Sequence, residues 1–153
     1  MEHVDIDDIE SQFLGDSDLD RRGLSDPLGT SDLAINYYSL EPGESFSGGM
    51  HTHLDQEEVF YVIQGTATFE TPDESVEVGP HEAIRFARGE YQQGTNESDE
   101  QVVGLALGAP KGSEDVRVPM GCRECGESDS LQFIMGEDGE QLRCPECGMT
   151  KDI

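Results

Sequence analysis

The chain has 153 residues, 34% of them hydrophobic and none of them Trp, which suits one ordinary domain with or without a small satellite. Its 34 acidic and 9 basic residues leave a formal net charge of -25, a balance that repels nucleic acid and works against a compact fold at low salt. No apolar run is long enough to span a membrane, and the opening MEHVDIDDIESQFLGDSDLDRR has neither the basic end nor the apolar stretch of a secretory signal.

These features lead us to expect a cytoplasmic protein. The acids are spread along the chain rather than gathered in one tail. That distribution favours adaptation to a salty cytosol over an acidic partner-binding segment, because at about 1 M salt the Debye length falls to about 3 Å and screens the repulsion. A halophilic source is the expectation.

Residues 1–29 are rich in Asp and Ser with weak periodicity. Val4, Ile6, Ile9 and Phe13 are spaced in a roughly helical way, so a short helix is expected over Val4–Leu14, or else an acidic strap over the main domain.

From 30 to 118 short apolar runs recur between turn signals. DLAINYYSL ends at Pro42-Gly43, EVFYVIQ at Gly65, TATFET at Pro72-Asp73 and SVEV at Gly79-Pro80. EAIRF leads to Arg88-Gly89, and QVVGLALG ends at Ala109-Pro110. Runs rich in Val, Ile, Thr, Tyr and Phe predict strands, and many short strands separated by Gly and Pro predict a sandwich or barrel. EVFYVIQ-Gly65-TATFET reads as a hairpin. Pro110-Lys111-Gly112-Ser113 reads as the start of a linker.

Within this region lies HTHLDQEE, residues 51–58. Residues i and i+2 of a strand share a face, so His51 and His53 project together. Imidazole is the commonest metal ligand, and a carboxylate from the next strand adds a third, leaving positions open for water, oxygen or substrate. The competing reading is a polar loop of an acidic protein.

The segment PGESFSGGMHTHLDQEEVFYVIQG resembles the first motif of the cupin superfamily, in which His-x-His is followed by a Glu and a closing Gly. Glu58, seven positions before Gly65, takes the place of that Glu, while Glu57 faces the other way. PHEAIRFARGEYQQGTN is similar to the second motif: Gly89 and Asn96 match, His81 and Ala87 depart, and Gln92 stands where the family's last metal-binding His is usual. The resemblance is to single-barrel, cupin-2-like members of halophilic archaeal type. It implies an all-β jelly-roll barrel over 30–118, a homodimer, and a divalent metal (Fe, Mn, Ni or Zn) on His51, His53, Glu58 and Gln92. The alternative is a metal-free pocket that uses the same polar groups. A Gln amide oxygen is a weaker ligand than imidazole for late transition metals, so lower affinity is expected. The ligand pocket is expected around Gln92, Phe60, Val62 and Phe86. Asp55, Gln56 and Glu57 are expected outside or on the rim, and Arg85 in a surface ion pair.

Residues 119–153 hold all four cysteines, as Cys122-Arg-Glu-Cys125 and Cys144-Pro-Glu-Cys147 with 18 residues between. Paired Cys-x-x-Cys at this spacing is a strong zinc signal. Gly126 and Gly148 follow each pair, and a hairpin is expected to turn at Glu137-Asp138-Gly139. The unit resembles a zinc ribbon. Disulfides are disfavoured in a cytosolic chain, and a rubredoxin-like iron site lacks the aromatic residues it would need. Among so many acids, the ribbon is expected to dock a protein or to stabilise the fold rather than to bind nucleic acid.

Two functions remain open at this point. One is a metal-binding barrel that holds a small polar ligand, with the ribbon for partner docking or stability. The other is a metal-dependent enzyme, an oxygenase or isomerase acting on a small polar or sugar-like substrate. A barrel fold hosts either.

Overall fold

The structure, a computed structural model, describes residues 1–12, 19–136 and 139–153. Its strands in chain order are β1 (Asp20–Gly23), β2 (Ala34–Leu40), β3 (Thr52–His53), β4 (Glu57–Gln64), β5 (Ala67–Glu70), β6 (Ser75–Val78), β7 (Ala83–Phe86), β8 (Gln93–Thr95), β9 (Val102–Ala109), β10 (Val116–Val118), β11 (Leu131–Gly136), β12 (Gly139–Arg143) and β13 (Thr150–Asp152). One helical turn, α1 (Ser25–Leu28), joins β1 to β2. The fold is the expected all-β jelly-roll barrel with a small C-terminal cysteine unit.

One wall of the barrel is an antiparallel sheet in the order β1-β2-β9-β4-β7. The other wall starts as β6-β5-β8. It continues through bridges from Thr95 to Ser45 and from Gln92 to His51, and so reaches β3. From β3 it runs on without a break into β10, β11, β12 and β13. The C-terminal unit is therefore an extension of a barrel wall. The expected division after Val118 falls at the end of β10, a strand that pairs with β3 on one side and β11 on the other.

Strand alternation accounts for the core. On β4, Glu58, Phe60 and Val62 share a face, and Phe60 and Val62 are buried at 3% and 0% exposure. They meet Tyr38, Leu40, Phe46, Phe69, Phe86 and Val102 in one cluster. Phe60 packs on Phe69 with ring centroids 4.9 Å apart, and Phe46 on Phe60 at 5.2 Å. Burying each such ring stabilises the fold by roughly 1.5–3 kcal/mol. Gly94 is required by this packing, because a Cβ there would lie 2.5 Å from Phe69 and 2.8 Å from Phe46.

Three expectations are corrected. EVFYVIQ-Gly65-TATFET is not a hairpin: β4 pairs with β7 and β9, and β5 with β6 and β8. Gly65 is a corner where the chain crosses between walls. Its φ of +75° and the backbone carbonyl of Gln101 against its open side leave no room for a side chain. The helix expected from Val4 is, among the described residues, a single 3-10 turn at Ile6–Asp8 capped by the Asp5 side chain; Phe13 and Leu14 lie outside the described residues. Nor is the segment after Pro110 a free tether. Lys111 donates to Asp26 at 2.9 Å, and Leu54 N–H donates to the Asp115 carbonyl at 2.9 Å.

Candidate metal centres

His51 and His53 are brought together as strand alternation requires. His51 is held by two backbone bonds to Gln92, at 3.1 and 2.9 Å, and His53 sits in β3 opposite Val116. Glu58 comes from the facing wall, at the start of the barrel-lining face of β4. The ligand atoms of His51, His53 and Glu58 all lie within 4.8 Å of one another, and the two imidazoles meet edge to face with centroids 5.1 Å apart.

Hydrogen bonds settle how this cluster is aimed. His51 Nδ1 lies 2.9 Å from the Gly49 carbonyl. A carbonyl only accepts, so Nδ1 carries the proton and the Nε2 lone pair faces the cluster. His53 Nε2 lies 3.5 Å from Glu58 Oε1, with its Nδ1 2.8 Å from Ser113 Oγ. Burial holds His53 below the ordinary imidazole value against the opposing pull of Glu58, and His51 adds to the lowering. A neutral ring is the form that binds a metal.

Gln92 is 1% exposed. Its amide nitrogen donates to Glu58 Oε2 at 3.1 Å and lies 3.4 Å from His51 Nε2, while its Oε1 is buried with no partner. An orphaned buried amide oxygen is costly. Turned over, the amide would aim that oxygen at the cluster, where only a cation favours it. Two imidazoles, a carboxylate and an amide fit a divalent first-row metal.

Phe60, Val62 and Phe86 lie in the packed core beneath, while Gln92 bonds to the cluster itself. Glu57 is exposed and pairs with Arg85 at 3.4 Å, as expected. Gln56 is corrected: it is buried at 6% exposure, lies over Gly108 where a Cβ would come within 2.7 Å of it, and donates to the Pro110 carbonyl at 2.7 Å. Asn96, also buried, is structural, since its amide nitrogen bonds the carbonyls of Leu40 and Glu100 at 3.0 and 2.7 Å. Other clefts of the surface lie apart from the cluster. One of about 650 Å³ sits beneath the N-terminal strap, lined by Glu10, Arg21, Asn36 and Lys111 among others. Donor geometry, not cavity size, singles out the histidine cluster.

The four cysteines form the second cluster. Cys122 Sγ lies 3.8 Å from Cys147 Sγ, and Cys125 Sγ lies 3.7 Å from Cys144 Sγ. Disulfide sulfurs are about 2.05 Å apart, whereas the edge of a tetrahedron with zinc–sulfur bonds of 2.3 Å is about 3.8 Å. Two matched loops present the sulfurs. Gly126 N–H bonds the Cys122 carbonyl at 3.1 Å, and Gly148 N–H bonds that of Cys144 at 3.0 Å. Both glycines have positive φ, 68° and 77°. The N–H of Cys125 pulls the Cys122 thiol down to about 6. At Cys147 the Met149 N–H pulls downward too, but burial and the other three sulfurs win and push it up to about 12. Four thiols this close cannot all ionise without a cation between them.

Fold and site together define a jelly-roll barrel with a His–His–Glu–Gln cluster where its two walls meet. Residues 36–108 match the family described as Cupin domain, so the barrel is a cupin domain. Among solved structures it is similar to a sugar phosphate isomerase of the cupin superfamily from Silicibacter pomeroyi, at 20% identity and a TM-score of 0.70, over 95% of this chain and 94% of that one. It is also similar to the polyketide cyclase RemF from Streptomyces resistomycificus, at 25% identity and a TM-score of 0.65, over 83% and 91%. A predicted oxalate decarboxylase from Thermotoga maritima shares 17% identity with a TM-score of 0.62, over 71% and 98%. No curated protein matches the chain.

Proposed function

We propose that the barrel binds a divalent transition metal (Fe, Mn, Ni or Zn) through His51, His53 and Glu58 with Gln92 beside it, and uses the open positions to hold a small polar ligand. The observation that carries this reading is the aim of the donors: a fixed imidazole lone pair, a second imidazole and a carboxylate converge within 4.8 Å beside the unpartnered oxygen of Gln92. Such a set of nitrogen and oxygen donors suits a divalent first-row cation between its members. The four cysteines hold zinc as a ribbon that stabilises the fold or docks a protein partner. A cytoplasmic homodimer is part of the same reading.

The test is elemental analysis of protein purified without added metal, for the wild type and for His51→Ala. The expected result is about one equivalent of zinc in both, with a second metal in the wild type alone. If His51→Ala leaves the metal content unchanged, the barrel holds no metal on these residues.

A second reading, a metal-dependent isomerase or oxygenase acting on a small polar or sugar-like substrate, is supported by one observation: structures similar to this chain include an isomerase and a cyclase. The bound metal would then supply Lewis acidity or activate oxygen. Among the described residues, no acid or base joins the cluster besides its own His51, His53 and Glu58. Turnover and oxygen-uptake assays across sugar phosphates and small polar acids separate the two readings.

A further inference from the structure

The second imidazole is held differently from the first. His51 leans on a backbone carbonyl, but the Nδ1 of His53 meets a side chain 60 residues away in sequence, Ser113 Oγ, at 2.8 Å. Ser113 Oγ in turn lies 2.6 Å from Asp55 Oδ1. The other oxygen of Asp55 accepts the N–H groups of Glu114 at 2.6 Å and Asp115 at 3.2 Å, which clamps the 113–115 segment against the end of β3.

The proton assignment follows from counting. An ionised carboxylate has no proton to give, and a serine hydroxyl has one. That proton therefore lies on the Ser113–Asp55 bond, and the Ser113 oxygen accepts from His53. A neutral His53 then carries its one ring proton on Nδ1 and leaves the Nε2 lone pair to the cluster, 3.5 Å from Glu58 Oε1. We propose that Ser113 and Asp55 are positioning residues. In this assignment, Asp55 orients the Ser113 hydroxyl, and Ser113 fixes the tautomer and tilt of His53. The segment that leaves the barrel thereby finishes the barrel's own site. Backbone bonds support the arrangement, since β10 pairs Val116 with His53 and the Leu54 N–H reaches the Asp115 carbonyl. The consequence for metal affinity rests on the reading above; the tautomer does not.

The experiment uses full-length protein loaded with one equivalent of zinc, which the four thiolates take in preference to the harder cluster. Long-range ¹H–¹⁵N NMR of the imidazoles reads each tautomer. Wild type is expected to show His51 and His53 both as the Nδ1–H form. Ser113→Ala is expected to give a tautomer mixture at His53 alone, Ser113→Thr to restore the single form, and Asp55→Asn, which frees the hydroxyl proton to turn, to give a mixture again. A plain structural role for the clamp would leave the His53 ring signals unchanged, and a single Nδ1–H form of His53 in Ser113→Ala overturns the proposal. Mn(II) binding, followed by electron paramagnetic resonance, is expected to weaken about 10- to 100-fold in Ser113→Ala and to recover in Ser113→Thr. Wild type that takes up no Mn(II) overturns the metal reading and leaves the tautomers to decide the relay. Wild type that binds Mn(II) with an affinity equal to that of Ser113→Ala overturns the relay alone.

Discussion

Gln92 occupies the position on which the chemistry of the barrel turns. Its nitrogen satisfies Glu58 while its oxygen goes without a partner in a site that is 1% exposed. One amide orientation thus suits the empty cluster and the other suits a cation. A neutral amide is also a weaker donor than imidazole for late metals. Gln92→His, similar in volume, is therefore expected to raise Ni(II) or Zn(II) affinity of the barrel by about tenfold or more, measured by calorimetric titration with the ribbon already loaded. Unchanged affinity would place residue 92 outside the coordination sphere. His51, His53, Glu58 and Gln92 were legible in the sequence because strand period and motif spacing are local. Ser113 and the burial of Gln56 were not: each depends on a contact across more than 50 residues, and neither residue type announces a role.

At the level of elements, the strands that could be read were those with enough apolar residues to show a period: β2, β4, β5, β6, β7 and β9. The ones missed, β1, β8, β10 and β13, are three or four residues long, too short to show a period, and defined by their partners. β4 and β5 showed that adjacency in sequence does not fix pairing, since a positive-φ glycine serves a corner as well as a hairpin. The C-terminal hairpin was read correctly: β11 pairs with β12 up to Gly136 opposite Gly139, with Glu137 and Asp138 outside the described residues. Among the described residues its core is Cys122, Leu131, Leu142 and Cys144, with Val118, Cys125, Phe133 and Met149 packed on it. So small a cluster does not offset the entropy of ordering the hairpin. Chelation of zinc is expected to abolish hydrogen-exchange protection in β11–β13 while the amides of β2, β4 and β9 stay protected. Protection that survives chelation in β11–β13 would mean that packing on β10 suffices and the metal is dispensable there.

At the level of the whole molecule, charge is the dominant fact. With 34 acids and 9 bases, 25 carboxylates have no basic side chain to meet even if every base were paired. The ion pairs that form are mostly local or exposed: Arg22 with Asp20, Arg117 with Asp115, Arg85 with Glu57 and Lys111 with Asp26. Pairs of this kind contribute about 0–1 kcal/mol each, too little to balance the repulsion of the remainder. No aspartate or glutamate is among the buried residues described, so nearly all of that repulsion runs through solvent, where salt acts on it. The Debye length shortens from about 10 Å at 0.1 M to about 3 Å at 1 M. The melting temperature is therefore expected to climb steeply as KCl rises from 0.1 to 1 M, and then to flatten once screening is complete. Salting-out predicts a different curve, a rise that persists well beyond 1 M and is steeper in sulfate than in chloride at equal ionic strength. A melting temperature that does not move between 0.1 and 1 M KCl would remove the electrostatic argument, and with it the inference that this chain is built for a saline interior.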